Sequence, residues 1–113
     1  MSHWARGIPR SGAYKTKLEN RYADYLELLK RAGEILGWWY ESVNLKIGPG
    51  AWVHLDFLVW AKDGVLELRE TKGYKERAGM VRLKAAAGIY PFRFLLCQEI
   101  PKKEGGGWRE TII

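Results

Sequence analysis

Between Leu66 and Gly73 the chain reads Leu-Glu-Leu-Arg-Glu-Thr-Lys-Gly. Residues two apart on a strand share a face, so Glu70 and Lys72 point the same way and continue the line of Leu66 and Leu68. A carboxylate and an ammonium at the end of an apolar row need a reason. Asp56 raises the same question one run earlier, inside His54-Leu55-Asp56-Phe57-Leu58. Asp63-Gly64 is a tight-turn signal between the two runs. With the turn centred between those two residues, Asp56 falls opposite Thr71, beside Glu70 and Lys72. Two carboxylates held close together repel unless a cation sits between them. Aspartate, glutamate and a carbonyl oxygen are hard ligands suited to Mg²⁺ or Mn²⁺. A metal there can activate water and offset the charge on a phosphate in transit. Lys72 would stand near the attacking water or the phosphate, as a fixed charge or a proton-transfer partner. Glu-x-Lys alone is a weak motif, which surface salt bridges also produce; Asp56, matched to it across the hairpin, gives it weight.

Glu19 adds a third carboxylate. It lies in a helical segment, with Ala23 and Leu26 on its side and no Lys at i+4 to pair with, so it borders the buried face without a local cation. His54 is near Asp56 and faces the same way; it reads as a phosphate contact or proton carrier, or as a half-buried spectator. With His3 as the only other histidine, no zinc-type histidine motif supports it.

The elements that must position these groups follow from periodicity. Residues 1 to 13 contain Gly7, Pro9 and Gly12 and no pattern, which predicts a flexible basic arm ahead of a single domain over 14–113. From Tyr14, Leu18, Tyr22, Tyr25 and Leu29 recur at helical spacing, and Gly33 is the expected stop. Three strand-like runs follow, near 36–47, 52–61 and 65–72, broken by Gly48-Pro49-Gly50 and Asp63-Gly64. Val53, Leu55, Phe57 and Val59 form one apolar face of the second. A second helix is predicted from Lys75 to Ala87, with Met80, Leu83, Ala87 and Tyr90 inside; Pro91 ends it. A fourth strand spans 92–98, and Trp108 to Ile113 reads as an edge strand. The expected fold class is α/β, a mixed sheet in the order αβββαβ. The intervening helix permits the third and fourth strands to run parallel.

Lysine and arginine total 19 against 13 acidic residues, a net charge of +6 in 113 residues. That balance favours an anionic partner, nucleic acid first. The single cysteine, Cys97, excludes an intrachain disulfide and a cysteine zinc site, and its apolar neighbours predict a buried, inert thiol. No stretch has the length of a signal peptide or a membrane span, so an intracellular, cytoplasmic protein is expected. Six tryptophans are many for this length. Trp38 and Trp39 are adjacent and must face opposite ways on a strand; one enters the core, and the other favours a homodimer contact over a base-stacking surface.

Taken together, Asp56, Glu70-Thr71-Lys72 and a preceding helical glutamate resemble the PD-(D/E)XK nuclease superfamily. Within it the chain looks most like small phage-type endonucleases, including Holliday junction resolvases of DNA recombination. The likeness runs through Lys15-Thr16-Lys17-Leu18-Glu19, Leu55-Asp56-Phe57-Leu58-Val59, Glu70-Thr71-Lys72-Gly73-Tyr74, and Arg82-Leu83-Lys84 with Tyr90-Pro91. It implies a restriction-endonuclease-like core and a metal-dependent hydrolase of DNA phosphodiester bonds. Asp56, Glu70 and the Thr71 carbonyl would bind Mg²⁺ (or Mn²⁺), Glu19 would assist one metal, and Lys72 would be the catalytic lysine. Lys15, Lys17, Tyr74, Lys75, Arg77, Arg82 and Lys84 are the candidates for DNA contact, since phosphate contacts need only charge and reach. In the common pattern an apolar residue separates the acid from the lysine; Thr71 departs from it while remaining a good strand former. Two other readings compete: a non-catalytic DNA-binding module on the same fold, and a small assembly protein. The intact set of Asp56, Glu70 and Lys72 argues against the first, because a decayed nuclease is free to lose any of them. The tryptophans are the best argument for the second.

Overall fold

The computed structural model describes residues 14–73 and 80–113. Helix α1 (Lys17–Arg31) leads into strands β1 (Ile35–Gly48), β2 (Ala51–Ala61) and β3 (Leu66–Lys72). Helix α2 (Met80–Ile89), β4 (Arg93–Glu99), a 3₁₀ turn over Lys102–Glu104 and β5 (Trp108–Ile112) complete the described elements. The fold is mixed α+β: among the described residues, one five-stranded sheet in the order β1-β2-β3-β4-β5, with two α-helices. Neighbouring strands are antiparallel except β3 and β4, which are parallel across the α2 connection, as expected. The arm expected over 1–13 and the start of the second helix, Lys75 to Gly79, lie outside the described residues.

Local chemistry sets the boundaries. Thr16 caps α1, its hydroxyl accepting from the Glu19 N–H at 3.0 Å, so the helix starts three residues after Tyr14. It stops at Gly33, whose φ of +77° only glycine adopts without strain. The N–H groups of Gly33 and Glu34 then turn back to the carbonyls of Lys30 and Leu29, the Schellman pattern that satisfies the last carbonyls of a helix. The buried face is rotated by one residue from the expected stripe: Glu19, Tyr22, Ala23 and Leu26 face inward, while Leu18, Tyr25 and Leu29 are half-buried.

The core has two lobes. Under α1, Tyr22, Ala23 and Leu26 pack on Ile35, Trp38, Phe57, Val59, Leu95 and Cys97. Against α2, Leu83 and Ala86 pack on Leu45, Val53, Leu55, Leu68, Phe94 and Leu96. Leu55 and Phe57 are two apart on one strand yet serve different lobes. The reason lies in β1, where three steps from Tyr40 to Val43 span two steps from Phe57 to Leu55. This bulge, with Glu41 at φ +48°, bends the hairpin and turns its outer half onto α2. Of the two adjacent tryptophans, Trp38 is buried. Trp39 is half-buried, its ring so close over Gly37 that a methyl group there would meet it at 3.2 Å. Cys97 is fully buried, and burial pushes its thiol up to about 12.

A polar cluster is enclosed by α1, β3, β4 and β5. The buried Arg69 donates to Glu67, to the Tyr22 hydroxyl and to Glu110. Arg93 bridges Glu67 to Asp63 at 2.8 Å on each side. These bonds compensate the burial of Glu67 and Arg69.

Candidate functional site

Strands β2 and β3 pair only from Trp60↔Leu66 to Phe57↔Arg69. The connecting loop is three residues long, not two: Ala61 and Val65 close it, with Gly64 at φ +87°. This is the bulged hairpin loop with a left-handed glycine. Its centre is Asp63, so the register brings Asp56 to Glu70, one residue from the pairing with Thr71 that a two-residue turn implies. The ladder is not continued there by the backbone. Instead the Asp56 carboxylate accepts from both the N–H and the hydroxyl of Thr71, each at 2.8 Å to Oδ2. The two strands part at this step, and the candidate site lies where they part.

Glu19 arrives from the first turn of α1, 7% exposed. Thr16-x-x-Glu19 has the form of a capping box, in which the glutamate returns to the cap's own N–H. Here Glu19 Oε1 instead accepts from the Tyr40 hydroxyl at 2.9 Å. Its carboxyl is held above the usual range by burial and then by the charge of Asp56; the Tyr40 bond pulls the other way.

Glu70 is more perturbed. Burial, followed by the charge of Asp56, pushes it up to about 8, with Lys72 opposing. Its Oε1 is buried without any hydrogen-bond partner, which is uncommon for a carboxylate oxygen in a folded protein. Lys72 Nζ stands 3.8 Å from Glu70 Oε2. Asp56 is thus the middle member of three carboxyl groups supplied by α1, β2 and β3, with one ammonium beside them. Among the described residues no group of three or more His, Cys, Asp or Glu is arranged as a metal cage.

Beside the carboxyl groups opens a cavity of about 350 Å³ lined by Val53, His54, Glu70, Lys72 and Arg82. His54 Nδ1 lies 2.7 Å from the Asn44 side-chain oxygen. Arg82, in the first turn of α2, reaches the Trp52 carbonyl at 3.3 Å, on the edge of β2 that β3 has left.

Of the candidate residues, the fold brings together Glu19, Asp56, Glu70, Thr71, Lys72 and Arg82. Lys15 is exposed, forms an ion pair with Glu41 at 2.8 Å, and feels the charges of Glu19 and Asp56. Lys17 and Lys84 are exposed on α1 and α2. Tyr74, Lys75 and Arg77 lie outside the described residues. Sequence reasoning missed Tyr40 and Asn44. Neither is signalled locally: Tyr40 meets Glu19 only through the packing of α1 on β1, and Asn44 meets His54 through a strand register that an irregularity displaces.

No helix among the described residues is long and apolar enough to cross a membrane. Comparison with protein-family models, with curated proteins and with solved structures finds no match to this chain.

Proposed function

We propose that the chain is a metal-dependent endonuclease that hydrolyses DNA phosphodiester bonds, on a restriction-endonuclease-like core of the PD-(D/E)XK kind. The observation that carries this reading is the buried, unpartnered Glu70 Oε1 beside Asp56, with Lys72 3.8 Å from the same carboxylate. A carboxyl pair that has displaced a sheet ladder and left an oxygen unsatisfied costs stability. A bound divalent cation removes that cost. The donors that fit Mg²⁺ or Mn²⁺ are Asp56, Glu70 and the Thr71 carbonyl, with Glu19 assisting: hard oxygen ligands of mixed origin. When bound, the ion supplies Lewis-acid stabilisation of a phosphate and an activated water.

The chain's own groups do the rest. Thr71 fixes Asp56 through two bonds, and Tyr40 fixes Glu19. Lys72 places a positive charge where negative charge develops on the phosphate. The net charge of +6, with Lys15, Lys17, Arg82 and Lys84 exposed, favours the DNA backbone as partner.

A symmetric homodimer, which suits paired cuts at a branched junction, draws support from an exposed apolar strip. Leu36, Trp60 and Leu66 are 46%, 43% and 41% exposed, and Trp60 pairs with Leu66 across the strands. Sedimentation of a dimer gives twice the 13.0 kDa chain mass.

Calorimetric titration with Mn²⁺ tests the metal centre apart from cleavage. Saturable binding by the wild type, lost in Asp56→Asn and Glu70→Gln, is the expected result. Equal binding by all three proteins contradicts it.

A further inference from the structure

The outer end of the β1–β2 hairpin carries a row of groups not needed for the metal chemistry. Lys46 pairs with Trp52, and Asn44 with His54. Directly paired residues on antiparallel strands sit side by side, and all four are exposed. They alternate with Leu45, Val53 and Leu55, which pack against α2. The row therefore lies on the side of the hairpin that no helix among the described residues covers. Trp52 is 44% exposed, a large apolar area to leave in water beside charged groups. The guanidinium of Arg82 reaches the Trp52 carbonyl, and Arg82 and His54 line the same cavity as Lys72 and Glu70.

A lysine paired across the strands with an uncovered aromatic residue, an arginine on that residue's carbonyl and a polar cavity alongside form a pattern that can hold one unit of a single nucleic-acid strand. The phosphate takes charge and hydrogen bonds, and the base stacks on the ring. Trp52 and Asp56 are four residues apart on β2, about 13 Å along an extended strand, a distance of a few nucleotides. His54 falls between them. Its Nδ1 donates to the Asn44 side-chain oxygen at 2.7 Å, which leaves Nε2 of the neutral ring as an acceptor, suited to an N–H of a base.

The geometry points to a subsite for an unpaired nucleotide a few nucleotides from the cutting position: Trp52 stacks on its base, while Arg82 and Lys46 hold its phosphates. This rests on the nucleic-acid part of the function proposed above and adds a preference to it. A duplex keeps its bases stacked on one another, so the ring gains its contact only on single strands and at the open bases of branches, flaps and frayed ends.

The test is binding of fluorescein-labelled oligo(dT) and of a duplex of the same length, by anisotropy in EDTA, which prevents cutting. Trp52→Ala is expected to weaken oligo(dT) binding roughly 5- to 150-fold and to leave duplex binding unchanged. Trp52→Phe, which keeps a ring, is expected to retain most of the affinity. Arg82→Gln is expected to weaken both and to lower the salt dependence by about one phosphate contact. Oligo(dT) containing 2-aminopurine should lose base fluorescence on binding the wild type and recover it with Trp52→Ala. Unchanged oligo(dT) affinity in Trp52→Ala, or an equal loss on single strand and duplex, overturns the subsite. A chain that cuts no DNA yet shows the Trp52 dependence leaves the subsite standing and removes the nuclease; a chain that binds neither probe removes both.

Discussion

Asp56 and Thr71 are joined by two hydrogen bonds, from the threonine N–H and from its hydroxyl, both 2.8 Å to the same carboxylate oxygen. They stand where β2 and β3 stop pairing, so an aspartate side chain takes the place of a backbone acceptor. That explains why a polar threonine separates Glu70 from Lys72: the residue is buried, and its hydroxyl aims the acid.

Thr71→Val keeps the strand preference and the backbone bond but removes the hydroxyl. Metal affinity should fall by about 10- to 100-fold, as on loss of other groups that orient a ligand, and Thr71→Ser should recover it. Wild-type Mn²⁺ affinity in Thr71→Val, by calorimetry, would count against this role.

Asp56→Asn and Glu70→Gln should abolish cleavage and spare DNA binding. Removing a negative charge near phosphate makes binding equal or tighter. Single-turnover assays beside anisotropy separate the two effects, and full activity in either variant would refute the assignment.

In the metal-free protein, the Glu70 carboxyl is raised from 4.5 to about 8, first by burial and then by Asp56. The folded state then binds a proton that the unfolded state has already lost. By linkage, stability is fullest below the unfolded value and falls as pH rises from about 4.5 to about 8. Thermal melts in EDTA should show that decline. Glu70→Gln should flatten it and raise the melting temperature near pH 8 by several degrees, and Mg²⁺ should restore the wild type. A wild-type melting temperature that does not change over this interval would contradict it.

The Arg69 cluster makes a separate prediction. Arg69→Met leaves Glu67 and Glu110 without their main cation inside the fold, at a cost of about 3–5 kcal/mol. Denaturant unfolding measures this, and a loss under 1 kcal/mol would show that Arg93 alone neutralises Glu67.

Much of this arrangement is legible in the sequence, because apolar alternation and turn residues report local geometry. The runs near 36–47, 52–61 and 65–72 are β1, β2 and β3, and Gly33 ends α1 as its position suggests. Asp56 meets Glu70 because the Asp63-Gly64 signal locates the hairpin. What escapes is half a turn of loop: whether Lys62 joins the turn decides if Asp56 faces Glu70 or Thr71, and both options suit the same residues. His54 shows the same limit. Counting back from a two-residue Pro49-Gly50 turn pairs it with Leu45, and an irregularity between Lys46 and Gly48 moves it to Asn44. The Tyr40–Glu19 bond depends on how α1 lies over the bulged strand, a tertiary fact with no local trace. Periodicity also placed Leu18 inside and Glu19 at the margin, whereas the buried stripe runs through Glu19 itself.

The central claim is that Asp56, Glu70 and Lys72 form a phosphodiester-cleaving centre. It is tested most directly by incubating end-labelled four-way junction, flap and duplex DNA with the wild type and with Lys72→Ala, in Mg²⁺ and in EDTA. The account predicts strand cuts by the wild type in Mg²⁺, none in EDTA, and a rate lower by orders of magnitude in Lys72→Ala, with metal binding and melting temperature nearly unchanged. The absence of cutting on all three substrates with Mg²⁺ or Mn²⁺, or full activity in Lys72→Ala, would contradict it.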